Sequence, residues 1–247
     1  MTVYINQNFE GAGFDNSETW LAYEGDTGAA DPDYTTGPLK GSQSLRMKDD
    51  DTEGTYVVTK WAADAGVNSV YGYCRIKFLN LPDAGSGPVS SGACEVIQFY
   101  DVQGPLASPT SVSPHEMIWI DDEGYLILWV AGLNPGWIVG TASTPLSINT
   151  LYHLWWYINR TTDSDGNGWI KVATTGVIPG TNLLEWSGAA DGNDPAWPAR
   201  YTLNGSGITT YNGANYEFLV DDFRLESTAI GSTETAAVVP TLLQHNE

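Results

Sequence analysis

Two carboxylates in one apolar segment, Glu95-Val96-Ile97-Gln98-Phe99-Tyr100-Asp101, are the first candidates for catalysis. Enzymes that hydrolyse glycosidic bonds place two carboxyl groups about 5 to 9 Å apart across the scissile bond. Glu95 and Asp101 have the same parity and would lie on one face of a strand, but they are six residues apart. At about 3.3 Å per residue their separation is roughly 20 Å. These two carboxylates therefore cannot flank one glycosidic bond.

Histidines and basic side chains add little acid–base chemistry. The chain has three histidines, His115, His153 and His245, and no nucleophile-elbow motif. A polysaccharide lyase would require a Tyr or His base beside basic residues that neutralise its substrate. The chain has only 10 Lys and Arg, and the sequence shows no clustered set of them. We therefore predict that the protein is not an enzyme.

Aromatic residues make up 12% of the chain, with 10 Trp and 13 Tyr. Their rings can stack on the apolar face of a pyranose, while nearby carboxylates and amides bind its hydroxyls. The predicted carbohydrate-binding platform consists of Trp119, Tyr125 and Trp129, with His153, Trp155 and Tyr157 alongside. Large aromatics also fill β-sandwich cores and protein interfaces, and the sequence favours that alternative.

Short β-branched and aromatic runs separated by Gly and Pro predict an all-β protein. The runs are Val3–Phe9, Gln43–Lys48, Thr55–Lys60, Val70–Leu79, Cys94–Tyr100, Glu116–Ile120, Tyr125–Val130, Tyr152–Asn159, Trp169–Ala173 and Tyr216–Glu226. About ten strands suit two packed antiparallel sheets better than one open sheet. Because no linker or repeat divides the runs, residues 1–227 are predicted to form a single β-sandwich domain.

The C-terminal extension, residues 228–247, differs from the domain in composition. Its apolar, uncharged segment, residues 236–243, lies outside the strand rhythm. We predict that the extension docks on its own domain or on a neighbouring chain.

One hairpin can be predicted residue by residue. Asp121-Asp122-Glu123-Gly124 suits a three-residue loop with Gly124 in the left-handed conformation. Ile120 would then pair with Leu126, and Ile118 with Leu128. The aliphatic face of this hairpin is predicted to face the core between the sheets, so its aromatic face requires a loop, partner or ligand to cover it.

The two cysteines have two possible roles. Cys74 and Cys94 lie on successive predicted strands, and they could face one another if these strands formed a hairpin. The favoured alternative is two buried small hydrophobic residues without a disulfide.

The charge balance restricts the classes of partner. With 10 basic and 30 acidic residues, the formal net charge is −20, which disfavours nucleic acids and anionic membranes. The sequence opens without a secretory signal, and no apolar stretch is long enough to span a bilayer. We therefore expect synthesis in the cytoplasm.

Several separated motifs resemble one family. They are Asn8-Phe9-Glu10-Gly11 followed by Trp20, Gly41-Ser42-Gln43-Ser44-Leu45-Arg46, Thr150-Leu151-Tyr152-His153-Leu154-Trp155-Trp156, Gly168-Trp169-Ile170-Lys171-Val172, and Leu219-Val220-Asp221-Asp222-Phe223-Arg224-Leu225. Their order over residues 3–226 resembles the concanavalin A-like lectin/glucanase superfamily, with its laminin-G-like domains and carbohydrate-binding modules. The resemblance implies an antiparallel two-sheet jelly roll with one concave sheet. Lectins, glycanases, lyases and structural domains share this fold, so it does not determine the function.

The resemblance bears on catalysis and on metal binding. Glycanases of the superfamily carry Glu-x-Asp-x-x-Glu on a concave strand, but Ile97 stands two positions after Glu95 here. Jelly rolls of this kind often hold a structural Ca²⁺ between the first and last strands. The matching positions are Glu10, Asp221 and Asp222, with Asp49 as a further carboxylate. The alternative is that the Asp pair caps a strand edge without binding a metal.

These observations predict a non-enzymatic, lectin-like binding or display module. The first hypothesis is a surface component of an assembly, such as a virion decoration or fibre protein, with other subunits or copies of itself as partners and glycan as a further ligand. The alternatives are a stand-alone carbohydrate-binding module or lectin, and a glycanase or polysaccharide lyase of the same fold.

Overall fold

The computed structural model describes residues 2–10, 20–23, 30–48, 56–60, 69–84, 93–100, 116–130, 137–159, 167–187, 201–205 and 215–234. These stretches contain strands, turns and bends and no helix. The strands are β1 (Val3–Gln7), β2 (Trp20–Tyr23), β3 (Ala30–Tyr34), β4 (Ser44–Lys48), β5 (Tyr56–Lys60), β6 (Ser69–Asn80), β7 (Cys94–Tyr100), β8 (Glu116–Ile120), β9 (Leu126–Val130), β10 (Trp137–Thr141), β11 (Tyr152–Asn159), β12 (Asn167–Ala173), β13 (Leu184–Ser187), β14 (Tyr201–Gly205) and β15 (Glu217–Glu226). Nowhere in the described stretches is there a helix that could cross a membrane.

The strands form two antiparallel sheets. The front sheet has the order β13-β12-β11-β6-β15-β4-β3, and β1 also pairs with β15. The back sheet has the order β10-β9-β8-β7-β14-β5-β2. In the front sheet β15 is central, because β6 lies on one side of it, whereas β4 and β1 share the other side. The predicted all-β, two-sheet jelly-roll sandwich is confirmed.

Alternate residues of the two sheets meet in one core. Cys74, Ile76 and Phe78 of β6 belong to the same buried cluster as Ile118 and Leu128 of the back sheet. Their neighbours along each strand consequently point away from this core. Gly72 makes room within the core, because a Cβ at this position would collide with the indole of Trp156 opposite.

The β8–β9 hairpin forms as predicted. Ile120 pairs with Leu126, and Ile118 with Leu128. Gly124 has a φ of 91°, the left-handed conformation that the three-residue loop requires. The carboxylate of Asp121 fixes the loop by accepting hydrogen bonds from the amides of Glu123 and Tyr125. The aliphatic side chains of the hairpin lie in the inter-sheet core, as expected.

The hairpin proposed for the cysteines is wrong. Cys74 lies on β6 of the front sheet, whereas Cys94 lies on β7 of the back sheet. Both are buried in the core and no disulfide joins them. The favoured alternative, two buried small hydrophobic residues, is confirmed.

Candidate functional site

The outer face of the front sheet carries the chemistry-bearing side chains. Strand register aligns them in rows that run across β15, β6, β11 and β12. The first row, here called the open row, contains Tyr71, Tyr157 and Trp169. The second and third, here called the covered rows, are Arg224, Tyr73, Trp155 and Lys171, and then Asp221, Arg75, His153 and Ala173.

The open row is an aromatic cluster that reaches solvent. The rings of Tyr71 and Tyr157 stack with centroids 4.4 Å apart, and Trp169 lies 6.2 Å from Tyr157. All three side chains are only partly buried. The ammonium of Lys171 lies 5.2 Å from the Trp169 ring centroid and covers part of this indole. The open row therefore offers both apolar ring surface and phenolic hydroxyls to a ligand.

A groove of about 320 Å³ adjoins the open row at the end of β11, β12 and β13. Its lining combines the aromatic side chains of Tyr157, Trp169 and Trp186 with polar groups of Asn167 and Glu185. Aromatic walls with a few hydrogen-bonding groups are typical of small-ligand sites. The groove and the open row together form a continuous candidate binding surface.

A tyrosine–histidine pair lies at the centre of the covered rows. The hydroxyl of Tyr73 is 2.8 Å from His153 Nδ1, and both residues are at most 1% exposed. Burial raises the pKa of Tyr73 to about 12, so this phenol keeps its proton at neutral pH. Burial, with help from the Arg75 charge, lowers the pKa of His153, so its imidazole is neutral there.

Residues 228–234, here called the strap, cover this pair. Ile230 packs into the cluster of Tyr73 and Trp155. The indole nitrogen of Trp155 donates to the Gly231 carbonyl at 3.3 Å, and the Thr233 hydroxyl lies 3.1 Å from that of Tyr73. This part of the C-terminal extension therefore docks on its own domain. Residues 235–247 lie outside the described residues, so docking of the whole extension stays a prediction.

The strap ends in a carboxylate that the covered rows bind. One oxygen of Glu234 accepts from Arg75 Nη2 at 3.2 Å and lies 4.0 Å from His153 Nε2. The other accepts from the Gly176 amide at 3.3 Å. The Gly176 hydrogen bond and the Arg75 charge lower the pKa of Glu234, which is therefore ionised at neutral pH. The inner edge of the Arg75 guanidinium donates to Asp222 at 2.9 Å.

Basic residues concentrate on this face although the whole chain is strongly acidic. Of the 10 Lys and Arg, those on strand positions that point outward from the front sheet are Arg46, Lys48, Arg75, Lys77, Lys171 and Arg224. The sequence-based statement that no basic set is clustered is therefore wrong. The strands that carry these residues are distant in the chain, and only the sheet order brings them together.

The predicted aromatic platform is divided between the two outer faces. Trp119 is 2% exposed and clusters with Ala93 and Ile127 on the outer face of the back sheet. His153, Trp155 and Tyr157 lie on the opposite side of the molecule, on the front sheet. Only Tyr157 of this second group reaches the surface.

The two remaining platform residues stay with the β8–β9 hairpin. Tyr125 is half-buried beside the turn, where its carbonyl accepts from the Asp121 amide at 3.1 Å. Trp129 pairs in register with Met117, and its side chain lies outside the described residues. The six residues therefore do not form one platform.

The acidic residues proposed for calcium meet at the loop that precedes β4. Glu10 accepts from the amide and hydroxyl of Ser42, and Asp221 from the Lys40 amide and the Ser44 hydroxyl. Asp222 pairs with Lys40 Nζ at 2.8 Å. Asp49, the fourth candidate, lies outside the described residues.

The chemistry of these contacts does not fit a calcium site. The carboxylates are bound by N–H, O–H and ammonium donors, and Asp222 also contacts two guanidinium groups. Within the described residues no group of three or more His, Cys, Asp or Glu side chains is placed to hold a metal ion. Calcium binding stays a prediction, which would require the Lys40 ammonium to move away.

Tyr71, Tyr73 and Trp169 were not predicted from the sequence as site residues. The signal was present in the alternation Tyr71-Gly72-Tyr73-Cys74-Arg75, which puts every second side chain on the outer face. Tyr73 and His153 are 80 residues apart in the chain, so no local spacing could pair them.

No family model and no curated protein sequence matches this chain. Solved structures do match. The globular domain of T. cruzi calreticulin is 9% identical, with a TM-score of 0.58 over 92% of this chain and 89% of that domain. The chain has a concanavalin A-like jelly-roll fold.

Two alginate lyases also share this concanavalin A-like fold. The PL-14 enzyme from Aplysia kurodai is 12% identical, with a TM-score of 0.57 over 77% of this chain and 85% of that one. Alginate lyase Aly36B, in complex with an alginate trisaccharide, is 15% identical, with a TM-score of 0.56 over 91% of this chain and 97% of that one. Identities this low show the fold alone, and the function must be argued from the site.

Proposed function

We propose that this protein is a non-enzymatic, lectin-like module that binds a saccharide through the open row and the adjoining groove. The observation that carries the proposal is the partly exposed cluster of Tyr71, Tyr157 and Trp169 on a rigid sheet face. A pyranose ring presents C–H groups on one face, which pack on indole and phenol rings, whereas its hydroxyls require donors and acceptors. Asn167 and Glu185 supply such groups within the groove.

The covered rows support binding over catalysis. A tyrosine that acts as a base must lose its proton, but burial raises the pKa of Tyr73 to about 12. The strap separates Tyr73 and His153 from solvent, and the Arg75 charge is compensated by Asp222 and Glu234. A substrate cannot reach the Tyr73 hydroxyl while Ile230 and Thr233 are in place, so the accessible chemistry of this face is recognition.

The proposal is tested by glycan-array binding of the wild type and of Trp169→Ala. Removal of the indole deletes one stacking surface, and we expect about tenfold weaker binding to the glycans that the wild type retains, equivalent to about 1.4 kcal/mol. Tyr125→Ala is the matched control, because Tyr125 is a partly buried aromatic beside the β8–β9 turn, on the side of the other sheet.

Two outcomes would reject the proposal. The first is an array on which the folded wild type binds no glycan. The second is a loss of binding in Tyr125→Ala while Trp169→Ala binds normally, because that would move the site to the back sheet.

A polysaccharide lyase is the second candidate function. It is favoured by the buried cluster of Tyr73, His153 and Arg75 and by a fold that two alginate lyases share. If the strap opened, this cluster would present a phenol, an imidazole and a guanidinium to a uronic acid. Lysis would be detected as ultraviolet absorbance of an unsaturated product that Tyr73→Phe no longer forms. A wild type inactive on uronic acid polymers would exclude this function for them.

A role in an assembly, such as virion decoration, also remains a proposal. The described part of the extension contacts the front sheet of its own domain, so the extension lends this role no support. Multi-angle light scattering tests the homo-oligomer expected from this role. A monomer at all accessible concentrations would argue against it.

A further inference from the structure

Glu234 occupies a site that is built for a carboxylate. Its two oxygens are bound by the Arg75 guanidinium at 3.2 Å and by the Gly176 amide at 3.3 Å, and His153 Nε2 lies 4.0 Å away. Arg75 is 8% exposed and His153 is 1% exposed, so both are fixed within the sheet face. A guanidinium and a backbone amide thus donate one hydrogen bond to each oxygen, and a buried imidazole lies beside them, a set of groups that suits a carboxylate.

The Glu234 side chain is fixed far less firmly than the Arg75 and His153 side chains that surround it. The side chain of Glu234 is 47% exposed, and its carboxylate therefore meets solvent. Within the strap, Ile230 is buried, whereas Gly231, Ser232 and Glu234 are exposed. A half-exposed ion pair contributes little free energy. The Glu234 side chain can consequently leave while Ile230 stays anchored between Tyr73 and Trp155.

The charges around the site favour an anion once Glu234 has left. Arg75 also pairs with Asp222, which is further neutralised by Lys40 and by Arg224 at 3.8 Å. Removal of the Glu234 carboxylate leaves the outer edge of the Arg75 guanidinium without its partner there. Arg75, Lys40 and Arg224 then face the carboxylates of Asp221 and Asp222, so the cations outnumber the anions at the site on a molecule whose formal net charge is −20.

We infer that this is a second ligand site, which takes the carboxylate of an acidic saccharide, and that Glu234 is its built-in competitor. The inference rests on the proposed saccharide binding and names a class of saccharide. The open row and the site lie on the same strands, with Tyr157 four residues after His153 on β11. At about 3.3 Å per residue the separation is roughly 13 Å, which a short oligosaccharide can span. A uronic acid unit would replace Glu234 on Arg75 while a neighbouring sugar stacks on the open row.

The test compares Glu234→Gln with the wild type in calorimetric titrations. The probes are a β-1,4-linked glucuronic acid tetrasaccharide and cellotetraose, its neutral counterpart. Because the glutamine no longer competes for Arg75, we expect the variant to bind the acidic probe about tenfold more tightly than the wild type does. Affinity for cellotetraose is expected to stay unchanged. Glu123→Gln, which removes an exposed carboxylate from the β8–β9 turn, is the matched control.

A second measurement uses only the wild type. The amides of Thr233 and Glu234 donate to the Gly176 carbonyl at 2.8 and 3.2 Å. Displacement of Glu234 should break these hydrogen bonds, so the acidic probe is expected to accelerate deuterium exchange in the strap. Acetate at the same carboxylate concentration is expected to leave it unchanged, which separates a saccharide ligand from any small carboxylate.

Three results would overturn the inference. They are equal affinity of Glu234→Gln and the wild type for the acidic probe, an equal gain for cellotetraose, and a strap whose exchange the acidic probe does not accelerate. Failure of saccharide binding altogether would instead show as a folded wild type that binds no glycan on the array. The two failures are therefore distinguishable.

Discussion

Two adjacent aspartates on β15 experience opposite environments. Burial raises the pKa of Asp221 to about 6. Burial acts in the same direction on Asp222, but hydrogen bonds from Lys40 and Arg75 outweigh it and lower the pKa of that carboxyl. Neighbouring positions of one strand thus hold a carboxyl that takes up a proton near pH 6 and one that stays ionised.

The raised pKa of Asp221 should make the free energy of unfolding depend on pH. Because the folded state binds the proton more tightly than the unfolded chain, Asp221 stabilises the fold most below its unfolded pKa of about 4. This contribution is lost as the pH rises through about 6. We expect the unfolding free energy of the wild type, minus that of Asp221→Asn, to fall between pH 4 and pH 6 and to level off above it. Urea titrations at a series of pH values measure this difference, and a constant difference would contradict the account.

At the scale of the element, the second half of β15 depends on one irregularity. The pairing of β15 with β6 shifts between Asp221 and Arg224, and Asp222 has a φ of 49°. Asparagine and aspartate tolerate this left-handed conformation better than alanine does. The shift directs the Asp222 carboxylate to Arg75. The bulge therefore places the negative charge that neutralises the Arg75 guanidinium.

Substitutions at Asp222 separate these two contributions. We expect Asp222→Asn to lower the unfolding free energy by about 2 to 4 kcal/mol, because it leaves the buried Arg75 without its main counter-charge. Asp222→Ala should cost about 1 kcal/mol more, since alanine is strained at positive φ. Urea unfolding followed by tryptophan fluorescence measures both values, with Asp122→Asn in the β8–β9 turn as a control. An Asp222→Asn variant as stable as the wild type would refute this role.

Sequence patterns predicted the strands with apolar runs well and the polar or very short ones poorly. Glu116–Ile120 and Tyr152–Asn159 were bounded correctly because a nearly unbroken run of apolar and aromatic residues fills each of them. β3 (Ala30–Tyr34) was missed because its segment, Ala-Asp-Pro-Asp-Tyr, contains a proline and two aspartates, which are rare in strands. β13 (Leu184–Ser187) has only four residues, too few to show a period.

The candidate site was only partly predictable for a different reason. Tyr157 was identified from its own strand, but its partners Tyr71 and Trp169 come from β6 and β12. The order of the strands in the sheet determines which side chains become neighbours, and that order depends on the whole chain. Trp119 and His153 were predicted to lie on one platform, but they lie on different sheets. The position of a residue along its strand predicts which face of the sheet it lies on, but it does not predict which of the two sheets the strand joins.

At the scale of the whole molecule, the two outer faces differ in character. The outer face of the front sheet carries six of the chain's ten basic residues together with the open row. On the back sheet, the outward cluster of Ala93, Trp119 and Ile127 is buried. The molecule thus presents one face that offers ring surface and charged hydrogen-bonding groups to a hydroxyl-rich ligand, and the strap limits how much of that face is accessible.

Saccharide protection mapped by deuterium exchange on the wild type tests the central claim most directly. With the best array saccharide bound, we predict slower exchange in peptides that cover residues 69–75, 153–159 and 167–173, which carry the open row and its supporting strands. Peptides over residues 116–130 of the back sheet should exchange at an unchanged rate. Protection confined to residues 116–130, or a bound saccharide that protects neither set, would contradict the assignment of the binding face.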